Sequence, residues 1–183
     1  MSRSDVSLGM VTISLHWLVG LSFIGLLALG IYMDETHAYA LYPIHKSLGT
    51  LLLLLVIPRI IWRYVQGFSA PQGDSSEAMQ KLARAVQYLL LVGTLMMPIS
   101  GIMMSAFGGY GLAVFGLEIF PENPDSANPG EFIPFNDLLA QLGHVIHGLG
   151  GKLMILAIVL HLGGALKHHL IDKDRTLIRM IRS

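Results

Sequence analysis

The chain contains no cysteine. That absence removes disulfides, Cys-ligated iron–sulfur clusters and covalent haem attachment through Cys-x-x-Cys-His. Any redox metal held here must use histidine, methionine or carboxylate. Charge is scarce as well: Asp, Glu, Lys and Arg make up 13% of the residues and cancel, twelve cations against twelve anions. A soluble domain carries about 25%, and a neutral balance gives no footing for nucleic acid. What is abundant is apolar, with 53% hydrophobic residues and a mean hydropathy of +0.61. The chain reads as a membrane protein embedded in a lipid bilayer.

Four apolar runs are long enough, at roughly twenty residues each, to cross a hydrocarbon core of about 30 Å as helices. They cover residues 11–33, 41–64, 83–107 and 138–166. The first is too long for the apolar stretch of a signal peptide and no small-residue cleavage site follows it, so it counts as a mature span. Pro43 suits the first turn of the second span. Residues 66–80, "QGFSAPQGDSSEAMQ", form a polar turn-rich connection, and residues 107–137, rich in Gly, Pro and Asn, form a long irregular one. No internal repeat or second domain is visible. The expected fold is therefore all-α, a single transmembrane four-helix bundle over residues 1–183.

Charge placement orients that bundle. The long connection carries Glu118, Glu122, Asp125, Glu131 and Asp137 without a cation, and the first connection offers Asp34 and Glu35. Arg59, Arg63, Lys81 and Arg84 flank the second connection, and Lys167, Lys173, Arg175, Arg179 and Arg182 follow the fourth span. The positive-inside rule puts both termini in the cytoplasm and the acidic connections on the other side, which is the periplasm for a bacterial inner-membrane protein.

Eight histidines occur, and the informative ones sit at bilayer depth. His147 and His161 are fourteen residues apart in "HGLGGKLMILAIVLH". At 100° and 1.5 Å per residue they share a helix face and stand about 21 Å apart, one near each membrane surface. His16, a turn and a half into the first span, matches His161 in depth, and His45, one turn into the second, matches His147. Two cross-bundle pairs result. An unpartnered polar group in hydrocarbon is costly, whereas facing neutral imidazoles are what a six-coordinate haem iron requires. Zinc would need about four donors at one point, which pairs this far apart do not supply. A haem-free proton or metal-ion transporter using the histidines as a relay is the reading from another class, and it predicts colourless protein.

Arg59 lies fourteen residues after His45, so it shares that face at the inner level. It is a candidate clamp for a haem propionate, against the alternative of snorkelling to lipid headgroups, which is the reading for Arg63. On the outer side Lys46, next to His45, Lys152 and His144 are candidate substrate contacts. Lys152 stands about 140° off the ligand face, with an outer propionate, an acidic loop residue or a substrate as its options. His37, His168 and His169 are interfacial, solvated or partnered with a quinone headgroup. Gly20, Gly49, Gly148, Gly150, Gly151, Gly163 and Gly164 fit either a flat macrocycle or close helix packing. Met96 and Met97, beside the helix-bending Pro98 and Gly101, read as gap-filling residues.

Five features carry a family likeness: "SLHWL" at 14–18, "IHKSLG" at 44–49, "PRIIWR" at 58–63, the His147 to His161 spacing and "ALKHHLIDKDRTLIRM" at 165–180. Together, over nearly the whole chain, they resemble the bacterial cytochrome b561 family. The resemblance implies two b-type haems, an inner one ligated by His16 and His161 and an outer one by His45 and His147. It further implies oxidation of periplasmic superoxide with electrons passed to ubiquinone. Family members often carry a histidine near the start of the third helix, where this chain has Gln87. The five carboxylates of the outer connection oppose an approaching anion. The alternative is therefore a conduit that exchanges electrons between quinol and a periplasmic redox protein, which an acidic surface would attract if basic.

Overall fold

A computed structural model describes residues 9–67, 76–174 and 176–181. Four long helices build it, α1 (Met10–Thr36), α2 (Tyr42–Gln66), α3 (Glu77–Phe107) and α4 (Asp137–Leu170). Each is long and apolar enough to cross a membrane. A 3₁₀ turn, Tyr39–Leu41, leads into α2, and a short α5 (Thr176–Arg179) follows α4. The chain is thus a mostly helical membrane bundle in which α1 lies along α2, α2 against α3, and α3 along α4.

Helix ends are fixed by local chemistry rather than by hydropathy. His37 ends α1 in the left-handed region at φ 54°. Pro43 occupies the first turn of α2, where a missing N–H costs least. The Ser76 side chain accepts from the Met79 N–H, so α3 begins at Glu77 and absorbs the last residues of the expected 66–80 connection. Residues 68–75 of that connection, and the tail cations Arg175 and Arg182, lie outside the described residues. Asn136 caps α4 by accepting from the Leu139 N–H at 3.0 Å. Its other end runs to Leu170, four residues past the apolar span, through a last turn that carries Lys167, whose ammonium suits a helix C-terminus, beside His168 and His169.

Little of the protein is buried, as expected where the solvent is hydrocarbon. Val19, Phe23, Leu52, Val56 and Met154 form the core, with Leu27, Leu55 and Met97 packed on them, while Leu21, Leu54, Leu156 and Val159 face outward. Met154 stands midway along α4 between His147 and His161. An apolar plug therefore separates the two histidine levels.

The segment after α3 is not the irregular loop the composition implies. It folds as an antiparallel hairpin of β1 (Tyr110–Val114) and β2 (Leu117–Glu122). Phe115 and Gly116 make the two-residue turn with φ of 48° and 90°, positive at both positions as a type I′ turn requires. Phe-Gly is not among the usual sequence signals for that turn, and the surrounding Gly and Pro obscure the strand pattern. The hairpin caps the end of the bundle that carries His45 and His147. Its fastening is polar: Lys46 Nζ donates to Tyr110 O and Gly111 O, each at 3.1 Å. Ser105 Oγ donates to Gly111 O at 2.6 Å, and the Phe115 N–H donates to Ser47 Oγ at 3.0 Å. Beyond it, the Asp125 carboxylate accepts from Ala127 N–H and Asn128 Nδ2, both at 2.8 Å. Those bonds hold its carboxyl below the ordinary range, so the turn stays ordered at neutral pH and loosens only as pH falls through that depressed value.

Lys46→Met deprives two carbonyls of their donor, at a cost of about 1 kcal/mol in this half-exposed setting. Amide hydrogen exchange over residues 110–114 should then rise while exchange in α4 is unchanged. Unaltered exchange in the hairpin would show that Lys46 is not its fastener.

Candidate functional site

The four histidines singled out by depth meet in two pairs. The rings of His16 on α1 and His161 on α4 face each other with centroids 6.1 Å apart and planes at 59°. Those of His45 on α2 and His147 on α4 stand 6.3 Å apart at 85°. All four side chains are half-buried. The regular α4 ties the two levels together, since fourteen residues return the chain to nearly the same azimuth.

At the outer level the surroundings fix the chemistry of His147. Its Nδ1 lies 3.0 Å from Met97 O and 3.2 Å from Ser100 Oγ. A carbonyl only accepts, so Nδ1 carries the proton and Nε2 keeps its lone pair. Ser100 is fully buried and its hydroxyl also reaches Met97 O, at 2.9 Å. Across from it, His45 Nδ1 is buried with no hydrogen-bond partner among the described residues. Two glycines make room for the rings: a Cβ on Gly30 would sit 3.4 Å from His45 Cε1, and one on Gly101 would sit 3.2 Å from His147 Cε1.

At the inner level Arg59 Nη2 lies 3.3 Å from His16 Nδ1. A guanidinium only donates, so in this arrangement His16 Nδ1 accepts. Trp17 packs edge-on to His16 at 5.5 Å and donates from Nε1 to Met180 O at 2.6 Å, which brings the segment after α5 beneath this pair. Arg63, one turn further along α2, is half-buried.

The other sequence candidates scatter. Lys46 is occupied by the hairpin carbonyls. Lys152 is exposed on the apolar outer surface of α4 among Leu149, Leu153 and Leu156. His144 is exposed with Nδ1 3.3 Å from Met104 Sδ. No contact joins these three among the described residues, so they form no shared substrate patch. His37 is a helix terminator stacked on Tyr39 at 6.3 Å. Met97 serves packing and supplies the carbonyl for His147. Of the glycines, Gly150 and Gly151 lie against Met97, whereas a Cβ on Gly20, Gly49, Gly148, Gly163 or Gly164 would meet nothing within 4 Å. Close helix packing within this chain therefore does not explain those five. Trp17, Gly30 and Ser100 were not anticipated, and Gly101 was read only as a helix-loosening residue. Gly30 carries a usable signal, because it lies fourteen residues after His16.

Paired imidazoles at two levels of a four-helix membrane bundle are a cytochrome arrangement, and comparison with known proteins agrees. Residues 7–183 match the family described as prokaryotic cytochrome b561. The chain belongs to this family. It is similar to cytochrome b561 homolog 2 of Escherichia coli (strain K12), at 30% identity over 179 residues that cover 94% of this chain and 90% of the relative. It is also similar to cytochrome b561 homolog 1 of the same organism, at 25% identity over 174 residues covering 92% and 93%. Membership makes the chain a multi-pass bacterial membrane cytochrome of b type, a haem-binding redox protein.

Proposed function

We propose that the whole chain is one dihaem unit that takes electrons from superoxide at its outer face and passes them through two haems to ubiquinone in the membrane. The observation that carries the dihaem part is the spacing of the ring pairs. Two imidazoles binding one iron at about 2.0 Å from either side place their centroids about 6 Å apart, and both pairs stand at that separation. Gly30 and Gly101, which leave room for the two outer rings to face each other, fit the same arrangement.

In this reading His16 and His161 hold the inner haem, and His45 and His147 the outer. Each haem supplies a one-electron couple when bound. The Met97 carbonyl and Ser100 hold His147 in the tautomer whose Nε2 is free to ligate. His16 must carry its proton on Nδ1 to ligate through Nε2, so Arg59 turns from that nitrogen toward an anion at the same level, such as a propionate. The apolar plug around Met154 keeps water from the space between the two levels. Two superoxide anions give up one electron each and leave as dioxygen; one ubiquinone takes both electrons and two protons. The Lys46 ammonium beside His45 supplies positive potential for an anion even while it fastens the hairpin. Both termini are cytoplasmic and the hairpin periplasmic in this reading, which the cation distribution supports.

One observation favours the conduit alternative. Glu118 and Glu122 are exposed on β2, with Asp125 and Glu131 exposed or half-exposed beyond it, a surface suited to a basic redox protein. Mixing oxidised protein with superoxide decides. The donor assignment predicts a rapid rise of the reduced b-haem band toward its chemically reduced height, abolished by superoxide dismutase. No rise in protein that dithionite does reduce would make a protein partner the donor.

A further inference from the structure

A second cluster of potential ligands lies away from both ring pairs, in the turn that joins α4 to α5. His168 Nδ1 stands 3.1 Å from Asp172 Oδ2 and 2.9 Å from Asp174 Oδ2. The chain reverses there because Lys173, between the two aspartates, adopts a left-handed φ of 52°, and the Asp174 N–H returns to His168 O at 3.0 Å. We infer that His168, Asp172 and Asp174 form a binding site for a divalent transition-metal cation of the Zn²⁺ class, which fastens the C-terminal segment beneath the inner histidine pair.

Three observations bear on this. First, an ion about 2.1 Å from each of three N/O donors keeps neighbouring donors about 3 Å apart, and the two measured separations, 3.1 and 2.9 Å, match it. Second, His168 Nδ1 is buried yet makes no hydrogen bond. At these distances an N–H directed at either carboxylate would make one, so the nitrogen aims at neither oxygen. That suits a lone pair converging with two others on a common centre better than a His–Asp ion pair. Third, the Asp172 carboxylate is held in place by a neighbouring donor, as ligating carboxylates commonly are: Lys167 Nζ donates to its Oδ1 at 2.9 Å and to its Oδ2, the oxygen facing His168, at 2.7 Å. One imidazole with two carboxylates selects Zn²⁺, Co²⁺, Ni²⁺ or Mn²⁺ over Mg²⁺.

The consequence lies in the segment that follows. Residues after the turn include α5 and Met180, whose carbonyl accepts from Trp17 beside His16. An ion bridging α4 to the turn would hold that segment in place, while an empty site leaves it tethered through Trp17 and the Lys167 ion pair.

The test uses the haem-loaded protein in lipid nanodiscs, stripped of loosely held metal and titrated with ZnCl₂ against a chromophoric zinc indicator. One Zn²⁺ per chain is expected, with affinity at least tenfold weaker in Asp174→Asn and in His168→Ala. Hydrogen exchange over residues 176–181 should slow on adding Zn²⁺ to the unaltered protein and not to Asp174→Asn. Failure to bind one equivalent at ~1 mM Zn²⁺, where even a weak site fills, would overturn the inference. So would binding by these two variants as tight as that of the unaltered protein, which would assign the ion to His37, His144 or His169. Because the haem band is read in the same sample, a variant that has lost its fold is recognised directly, and Asp172→Asn then replaces it.

Discussion

Alanine at His161 should remove one haem and leave the other, and alanine at His16 should remove the same one. The rings of these residues face each other at 6.1 Å; under the proposed assignment each would supply half of one axial pair, and a haem held from one side only would lose a strong bond and its low-spin signature. His45→Ala and His147→Ala should likewise share a phenotype, loss of the haem that the first two variants keep. Pyridine haemochrome assays should give about half the unaltered haem content for each of the four. Redox titration of the survivors should show two classes of midpoint, one per remaining site. If His16→Ala and His45→Ala retain the same haem, the assignment of partners is wrong even though four histidines are used. If Arg59→Ala alone also empties the inner site, the guanidinium contributes more than a propionate contact.

Gly143→Ala should be nearly as damaging to the outer site, although this residue touches no candidate ligand. A Cβ there would stand 2.6 Å from Met104 N, 2.9 Å from Ser100 O and 3.0 Å from Met103 Cβ. Two of those atoms are backbone of α3 and cannot swing aside, so α3 and α4 must separate. Overpacking of this kind costs about 1–3 kcal/mol. It also withdraws Ser100 and the Met97 carbonyl from His147 Nδ1, one turn along α4. Expected are a lowered melting temperature in detergent and preferential loss of the outer haem, with the inner one retained. Gly25→Ala is the control, since a Cβ at Gly25 meets nothing within 4 Å. Equal stability of the two variants would contradict the close α3–α4 approach.

Much of the architecture can be read from the residues. Apolar runs located all four membrane helices, because hydrocarbon requires about twenty residues whose backbone bonds are satisfied within the segment. They could not locate the helix ends. Glu77 and Leu170 extend α3 and α4 beyond the apolar runs through capping and charge, which hydropathy does not register. The histidine pairs were legible because fourteen residues close nearly four turns of helix. The same fourteen-residue spacing recurs on the other helices: His16 leads to Gly30, His45 to Arg59, and Gln87 to Gly101. Each of the four helices thus places one residue at each level on one face: a histidine, a cation, a gap or, at Gln87, a neutral amide. Gly30 and Gly101 were open to prediction on that ground, as the positions that clear space for His45 and His147.

The hairpin was not legible. Its strands are short, β2 is exposed throughout, and its stability comes from contacts across the sequence, Lys46 to Tyr110 and Ser105 to Gly111. Those contacts change the meaning of Lys46. Its place beside His45 made it a substrate candidate, whereas its ammonium already serves two carbonyls. Ser100 was equally hidden, since a serine within an apolar helix gives no sign that a histidine forty-seven residues later will bond to it.

The account rests on two haems per chain, each held between a pair of imidazoles. The most direct measurement is the ratio of haem b to polypeptide in protein purified from a haem-replete host, by pyridine haemochrome against quantitative amino-acid analysis. It should be paired with a low-temperature spectrum of the oxidised state that reports the axial ligands. Two haems per chain, both low-spin with bis-imidazole signatures, is the predicted result. A ratio of one, or a second haem with a ligand other than imidazole, would contradict it.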